Sequence, residues 1–329
     1  MNGRIRKGSH IERENMRNRI SHLRDRATEL EILINEALFS STRVVASTLV
    51  SSNHRILNGR RFSTLFIDEA AQALEAACWI AIRKADRVIF AGDHCQLPPT
   101  IKCIEAARGG LDHTLMEKVV ANKPISVSLL KVQYRMNESI MRFPSEWFYN
   151  NQLESAPEIR QRGILDFDTP MIWIDTSEME CHEEFVGESF GRINKPEANL
   201  LLQELESYIQ KIGENRVLDE QIDFGLISPY KAQVQYLRNK IKSNSFFRRF
   251  RPLITVNTVD GFQGQERDVI FISLVRANES GQIGFLNDLR RMNVAITRAR
   301  MKLVILGNAT TLTKHTFYHK LMEYIQKQF

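Results

Sequence analysis

Residues 256–278 read VNTVDGFQGQERDVIFISLVRAN. Two apolar runs flank a loop bracketed by Gly261 and Gly264. A short continuous run such as VIFISLV is what a strand buried on both faces looks like, and such strands belong to parallel sheets. Glycines in the loop let backbone approach a ligand closely. The same texture recurs in RVVAS (43–47), STLFIDE (63–69), RVIFAGD (87–93), VSLLKVQYR (127–135), MIWIDT (171–176), DFGLISPY (223–230) and KLVILGN (302–308). Helical patterns lie between them: one carries Leu74, Cys78 and Ile82, and others fall at about 138–150, 195–211, 230–243 and 288–299. Strand–helix alternation predicts an α/β fold whose parallel sheets are covered by helices on both faces. Residues 151–170 and 178–194 read as loops.

The chain has 329 residues, 43% hydrophobic and 26% charged, which is room for two domains with their own cores and excludes a disordered or fibrous chain. A net charge of +6 favours an anionic partner. No run approaches the roughly 18 apolar residues of a membrane span, and the N-terminus lacks the apolar stretch of a secretory signal. The four cysteines, Cys78, Cys95, Cys103 and Cys181, form no C-x-x-C. A reducing location, cytoplasmic or nuclear, is therefore expected. Residues 11–38 read as one helix, with an apolar seam of Ile20, Leu23, Ala27, Leu30, Ile34 and Ala37. Such a seam needs a covering partner. The next 90 or so residues offer no second seam, so the partner is expected upstream of Met1.

Several strand ends carry groups suited to chemistry. In FIDEAAQ (66–72), Asp68 and Glu69 follow a strand. In open α/β sheets, ligands sit at the carboxyl ends of strands. An Asp there can hold Mg²⁺ and a neighbouring Glu can deprotonate water, although acids also simply open helices. In FAGDHCQLPPT (90–100), Gln96 can bond a phosphate or an attacking water; His94, Cys95 and Cys103 fit no usual zinc spacing. Tyr134 and Arg135 stand at the end of VSLLKVQYR. Glu266 follows the glycine loop, and Arg298 and Arg300 precede the last strand. A guanidinium fork suits a phosphate.

Read in order, D-E-A-x-Q, G-D-x-x-Q-L-x-P-T, Q-Y-R-M, V-D-x-F-Q-G-x-E and N-V-A-x-T-R-A-R, each at a strand end, resemble superfamily 1 helicases of the regulator-of-nonsense-transcripts and immunoglobulin-switch-region-binding type, from about Arg43 to Asn308. The resemblance implies two RecA-like domains, with ATP and Mg²⁺ as cofactors. Asp68 would hold the metal and Glu69 would polarise the hydrolytic water. Gln96 would sense the γ-phosphate, Tyr134 would stack on adenine, and Arg135 would touch the γ-phosphate from the second domain. Glu266 would bind the ribose or the polyphosphate edge. Arg298 would be the arginine finger, a group worth about 10³–10⁵ in rate, or roughly 4–7 kcal/mol. It also implies single-stranded DNA or RNA as partner, on a track through Ser47, Thr48, Pro229, Tyr230, Lys231 and Thr258. The basic, aromatic run from Lys240 to Arg251, with Phe246, Phe247 and Phe250, is either an extension of that track or a solvated helix end with its rings turned into the core; the second reading is preferred.

The phosphate-cradling G-x-x-x-x-G-K-[ST] is missing. GRIRKGSH (3–10) has the glycine spacing, but Ser9 stands where Lys is required and no strand precedes it. The reading is therefore the C-terminal portion of a longer helicase: a helical stalk arm (1–40), the C-terminal part of a first RecA-like domain (41–124) and a second RecA-like domain (125–329). The missing N-terminal portion would be a further partner. ATP-driven movement on a single strand is the expected function, inactive in this chain alone; the alternatives are a strand-binding fragment without turnover and a pure interaction module.

Overall fold

The computed structural model describes residues 7–187 and 191–328. It divides into two compact units, Met1–Asp68 with Ala73–Ala91, and Glu69–Gln72 with Gly92–Phe329. No helix among the described residues is long and apolar enough to cross a membrane.

The first unit opens with α1 (Lys7–Ser41). Residues 3–6 of the GRIRKGSH string lie outside the described residues, while Gly8 already lies within the helix. The seam positions Ile20, Leu23, Leu30 and Ile34 are exposed. Glu31 pairs with Arg55 at 3.2 Å, and the Arg60 guanidinium lies over the Phe39 ring. Residues 43–47 form no strand: they carry no regular structure, and no strand pairs with them. Beyond them, β1 (Phe62–Ile67), α2 (Glu75–Ile82) and β2 (Ala85–Phe90) make one strand–helix–strand crossover with parallel strands. These strands are not buried on both faces, because Phe66 and Ile89 are exposed.

The second unit carries the main sheet. After a single turn, α3 (Ile104–Ala106), comes α4 (Leu115–Asn122), whose Thr114 and Glu117 form a reciprocal capping box. Then follow β3 (Val132–Gln133), α5 (Glu138–Phe148), β4 (Glu154–Ser155) and β5 (Met171–Asp175). A short antiparallel hairpin, β6 (Glu184–Val186) and β7 (Gly191–Ile193), stands where residues 178–194 read as a loop. Next are α6 (Lys195–Ile212), α7 (Glu214–Asp219), β8 (Phe224–Ser228), α8 (Lys231–Ser243), β9 (Ile254–Thr258) and β10 (Arg267–Ser273). The chain closes with α9 (Leu289–Ile296), β11 (Ala299–Gly307), α10 (Ala309–Leu312) and α11 (Thr316–Gln326).

Five strands pair in the order β5-β11-β10-β8-β9, all parallel. Side chains alternate between faces along each strand. Ile270, Ile272, Leu303 and Ile305 therefore join one core, beneath α5, α9 and α11. Val269, Phe271, Val304 and Leu306 join the other, with Leu201, Leu205 and Ile209 of α6 and Leu237 of α8. Each such side chain contributes roughly 1.5–3 kcal/mol by leaving water. Phe247 and Phe250 are fully buried in this second core, so the rings of the basic run turn inward.

Candidate functional site

Asp68, in the first unit, follows β1 directly and is exposed. The next residue, Glu69, belongs to the second unit and is also exposed. It adopts φ +50°, a left-handed backbone that a side chain disfavours, and its Oε2 accepts a 2.7 Å bond from Gln72 Nε2. Backbone strain of this kind concentrates at functional positions.

The loop after β2 is organised by Asp93. Its Oδ1 accepts the Cys95 N–H at 2.9 Å, and its Oδ2 accepts Gln96 Nε2 at 2.8 Å and the Tyr149 hydroxyl at 2.6 Å. The Tyr149 oxygen in turn accepts Asn293 Nδ2 at 2.7 Å, and the same nitrogen donates to the Cys95 carbonyl at 2.9 Å. Burial, and then the Asp93 charge, push the Tyr149 hydroxyl far up and the Cys95 thiol to about 11. Both stay protonated. Asp93, His94 and Cys95 bring donor atoms within 4.8 Å of one another, but both Asp93 oxygens are already occupied by these bonds. The result fixes Gln96 to the helix that precedes Arg298.

Arg298 is 2% exposed. Its Nε donates to the Val294 carbonyl at 3.0 Å, Nη1 to the Gln265 carbonyl at 3.2 Å, and Nη2 to Thr297 Oγ1 at 3.2 Å and Gln96 Oε1 at 3.5 Å. All four acceptors are neutral, and among the described residues no carboxylate lies within ion-pair distance. Burial first, and the neighbouring Arg135 charge second, pull this guanidinium down to about 10, while Glu266 and Glu69 oppose the shift. A buried cation without a bonded counter-charge is costly unless something anionic docks against it.

Arg135 is set by its own motif. Gln133 Oε1 accepts the N–H groups of Arg135 and Met136 at 2.8 and 2.7 Å, closing a tight loop after β3. Arg135 Nε pairs with Glu266, and its Nη1 reaches the Thr297 carbonyl at 3.1 Å. Glu266 also accepts Arg300 Nε at 2.9 Å. Burial raises this carboxyl, but the two guanidiniums outweigh it and hold it below its ordinary value. Both Glu266 oxygens are thus engaged by arginines, and Tyr134 beside them is two-thirds exposed. Gln96, Arg135, Glu266 and Arg298 therefore come together within the second unit.

The strand-contact candidates fall in two places. Ser47 and Thr48 are exposed in the first unit, where Thr48 Oγ1 bonds Ser51 Oγ at 2.8 Å and accepts the Ser51 N–H. In the second unit, Pro229, Tyr230 and Lys231 link β8 to α8, and Thr258 ends β9 opposite Ser228. Lys231 is exposed; Tyr230 is 4% exposed, and its hydroxyl accepts Arg276 Nη1 at 3.4 Å. Arg276, also buried, pairs with Glu183 at 2.6 Å.

Beside this edge lies a buried polar network with no motif signal. Gln233, in the first turn of α8, donates to Ser273 Oγ at 2.9 Å and to the Asn194 carbonyl at 2.9 Å. Ser273 Oγ donates to Glu197 Oε1 at 2.5 Å, and the Val275 N–H donates to the same oxygen at 2.8 Å. Val275 holds φ +70°, an outlier for a β-branched residue. Glu197 is fully buried, its Oε2 has no partner among the described residues, and burial raises its carboxyl to about 7.

Two family models, each described as an AAA domain, match residues 3–103 and 111–310. The chain is 36% identical over 299 residues to an uncharacterized ATP-dependent helicase of Methanocaldococcus jannaschii, covering 89% of this chain and 43% of that protein. It is 34% identical over 327 residues to the DNA-binding protein SMUBP-2 of Mesocricetus auratus (95% and 32%), and 37% identical over 314 residues to the regulator of nonsense transcripts 1 homolog of Arabidopsis thaliana (92% and 24%). The chain belongs to the superfamily 1 helicases. It spans less than half the length of these relatives. Among solved structures it is similar to the PRRSV helicase at 16% identity and a TM-score of 0.39, covering 76% of this chain and 36% of that one.

For a superfamily 1 helicase, the donor set of the second unit suits a nucleotide's phosphates. Arg298 offers a buried positive charge that only neutral oxygens now hold, and the Gln96 amide meets it. Tyr149 is the residue here that the sequence motifs miss: a tyrosine at the end of an amphipathic helix carries no mark of its hydroxyl's partners, Asp93 and Asn293, which do stand inside the G-D-x-x-Q and N-V-A-x-T-R-A-R strings.

Proposed function

We propose that this chain supplies the arginine-bearing part of a helicase nucleotide site together with a track for single-stranded DNA or RNA, so that its residues serve ATP hydrolysis coupled to movement along one strand. The observation that carries this reading is the Arg298–Gln96 contact at 3.5 Å beside the Arg135–Glu266 pair. A preorganised buried cation of this kind stabilises charge that develops on a transferring phosphoryl group. ATP would supply the anhydride that is cleaved. Gln96, Arg135 and Arg298 would bind the γ-phosphate, Tyr134 would stack on the base, and Glu266 would orient Arg135 and meet the nucleotide's edge. Asp68 would hold Mg²⁺, and Glu69 would take a proton from water. Ser47, Thr48, Pro229, Tyr230, Lys231 and Thr258 would border the strand, with Tyr230 acting as support rather than as a free ring.

No G-x-x-x-x-G-K-[ST] occurs in the sequence. For this chain alone we therefore propose strand binding without turnover. The test is ATPase and equilibrium binding with single-stranded DNA and RNA, on the wild type and Glu69→Gln. Binding that weakens with salt, with no ATP hydrolysis and no change in the variant, is expected. Strand-stimulated hydrolysis that vanishes in Glu69→Gln would show that the chain turns over unaided. Absence of strand binding at low salt would refute the track.

A further inference from the structure

Phe285 is 59% exposed. Among the described residues from 191 to 328, it is the one large hydrophobic side chain left exposed. Its backbone is nonetheless locked on both sides. Gly284 before it holds φ +57°, and a Cβ there would lie 2.3 Å from Arg276 Nη1 and 3.0 Å from the Tyr230 hydroxyl. Leu286 after it is buried, and its carbonyl accepts the Tyr318 hydroxyl at 2.7 Å. Asp288 then caps α9 by accepting the Arg290 N–H. The Phe285 ring is backed by the Tyr230 ring, 5.7 Å between centroids at 55°, and Tyr230 is itself held by the buried Arg276–Glu183 pair. Lys231, the residue after Tyr230, is exposed at the start of α8, and Thr258 stands one strand over.

We propose that Phe285 is a stacking platform for one base of a single-stranded nucleic acid lying along the carboxyl edge of this sheet. The proposal rests on the strand-track reading and adds to it the group that touches a base rather than the backbone. An exposed ring that rests on Tyr230, with the exposed Lys231 next to Tyr230 in the chain, matches the chemistry of a nucleotide: one π-face for the base and one charge for its phosphate. A protein partner would call for a contiguous apolar patch; the exposed apolar side chains nearest in sequence, Met179, Phe185 and Val186, lie on or before the hairpin of β6 and β7, where the Arg192 guanidinium lies over the Phe185 ring. With Gly284 packed against Arg276 and Leu286 buried and hydrogen-bonded, little conformational freedom is lost when the ring is covered.

The test is equilibrium binding of the whole chain to single-stranded oligonucleotides carrying 2-aminopurine at successive positions, for the wild type, Phe285→Leu and Phe285→Tyr. Loss of the π-face in Phe285→Leu should weaken binding about 5- to 150-fold, the range that one stacked base contributes. It should also abolish the 2-aminopurine response at one position. The salt dependence should keep its slope, because no charge is removed. Phe285→Tyr should restore both signals. Wild-type affinity and an unchanged 2-aminopurine response in Phe285→Leu would overturn the inference while leaving the strand track standing. A wild-type chain that binds no strand at low salt would overturn the track and this inference together.

Discussion

Replacing Glu197 by Gln should change the pH dependence of the second unit in a predictable direction. The carboxyl is fully buried and raised from 4.5 to about 7. Between those pH values the folded chain keeps a proton that the unfolded chain releases. Stability is therefore largest below pH 4.5 and declines as pH rises towards 7. At about 1.36 kcal/mol per pKa unit, the total decline is roughly 3 kcal/mol. Gln cannot ionise, so it removes that slope, while its carbonyl oxygen still accepts Ser273 Oγ and the Val275 N–H. The assay is urea unfolding from pH 4.5 to 8, with hydrogen exchange at the β10 amides reporting on this unit. Every other titrating group is common to both proteins, so the wild-type-minus-variant difference isolates position 197. That difference should drop by about 3 kcal/mol across the window. A flat difference, or one rising with pH, would refute the assignment of a protonated Glu197.

Two further substitutions test the supports of the candidate sites. Tyr149→Phe strips one donor from Asp93 and one acceptor from Asn293, both in a largely buried setting, and should cost about 1–3 kcal/mol. It should also speed exchange of the Cys95 amide; an unchanged denaturation midpoint and exchange rate would remove Tyr149 from the network. Gly284→Ala places a methyl group against Arg276 in a left-handed turn, which alone costs about 1–2 kcal/mol. Displacement of Arg276 from Glu183 should add to that, and a wild-type urea midpoint would contradict the packing described.

The strands of the main sheet are legible because each is a short apolar run that must be buried on two faces, as in VIFISLV and KLVILGN. RVVAS has the same composition and forms no strand, since nothing pairs with it: a run reports apolarity, not a neighbour. VSLLKVQYR shrinks to the two residues of β3, with Leu129 and Leu130 exposed, for the same reason. The hairpin of β6 and β7 escapes because three residues are too few to show alternation. At the site, arginines and carboxylates announce themselves by type and spacing. The uncharged parts that hold them do not. Tyr149 bridging Asp93 to Asn293 is defined only by what the fold brings beside it; Gln133 stands in the Q-Y-R-M string, but nothing there marks its folding of the loop before Arg135, and Glu197 is a carboxyl that escapes because no strand end or motif marks it.

The position of β11 has a consequence for how the molecule is made. It lies between β5 and β10, so Met171 finds its partner only when Leu303 arrives. During synthesis β8, β9 and β10 can pair with one another, but β5 and β10 each emerge with an edge that only β11 fills. The nascent chain thus carries adhesive apolar edges until β11 has left the ribosome, and its need for chaperone cover is written into the strand order.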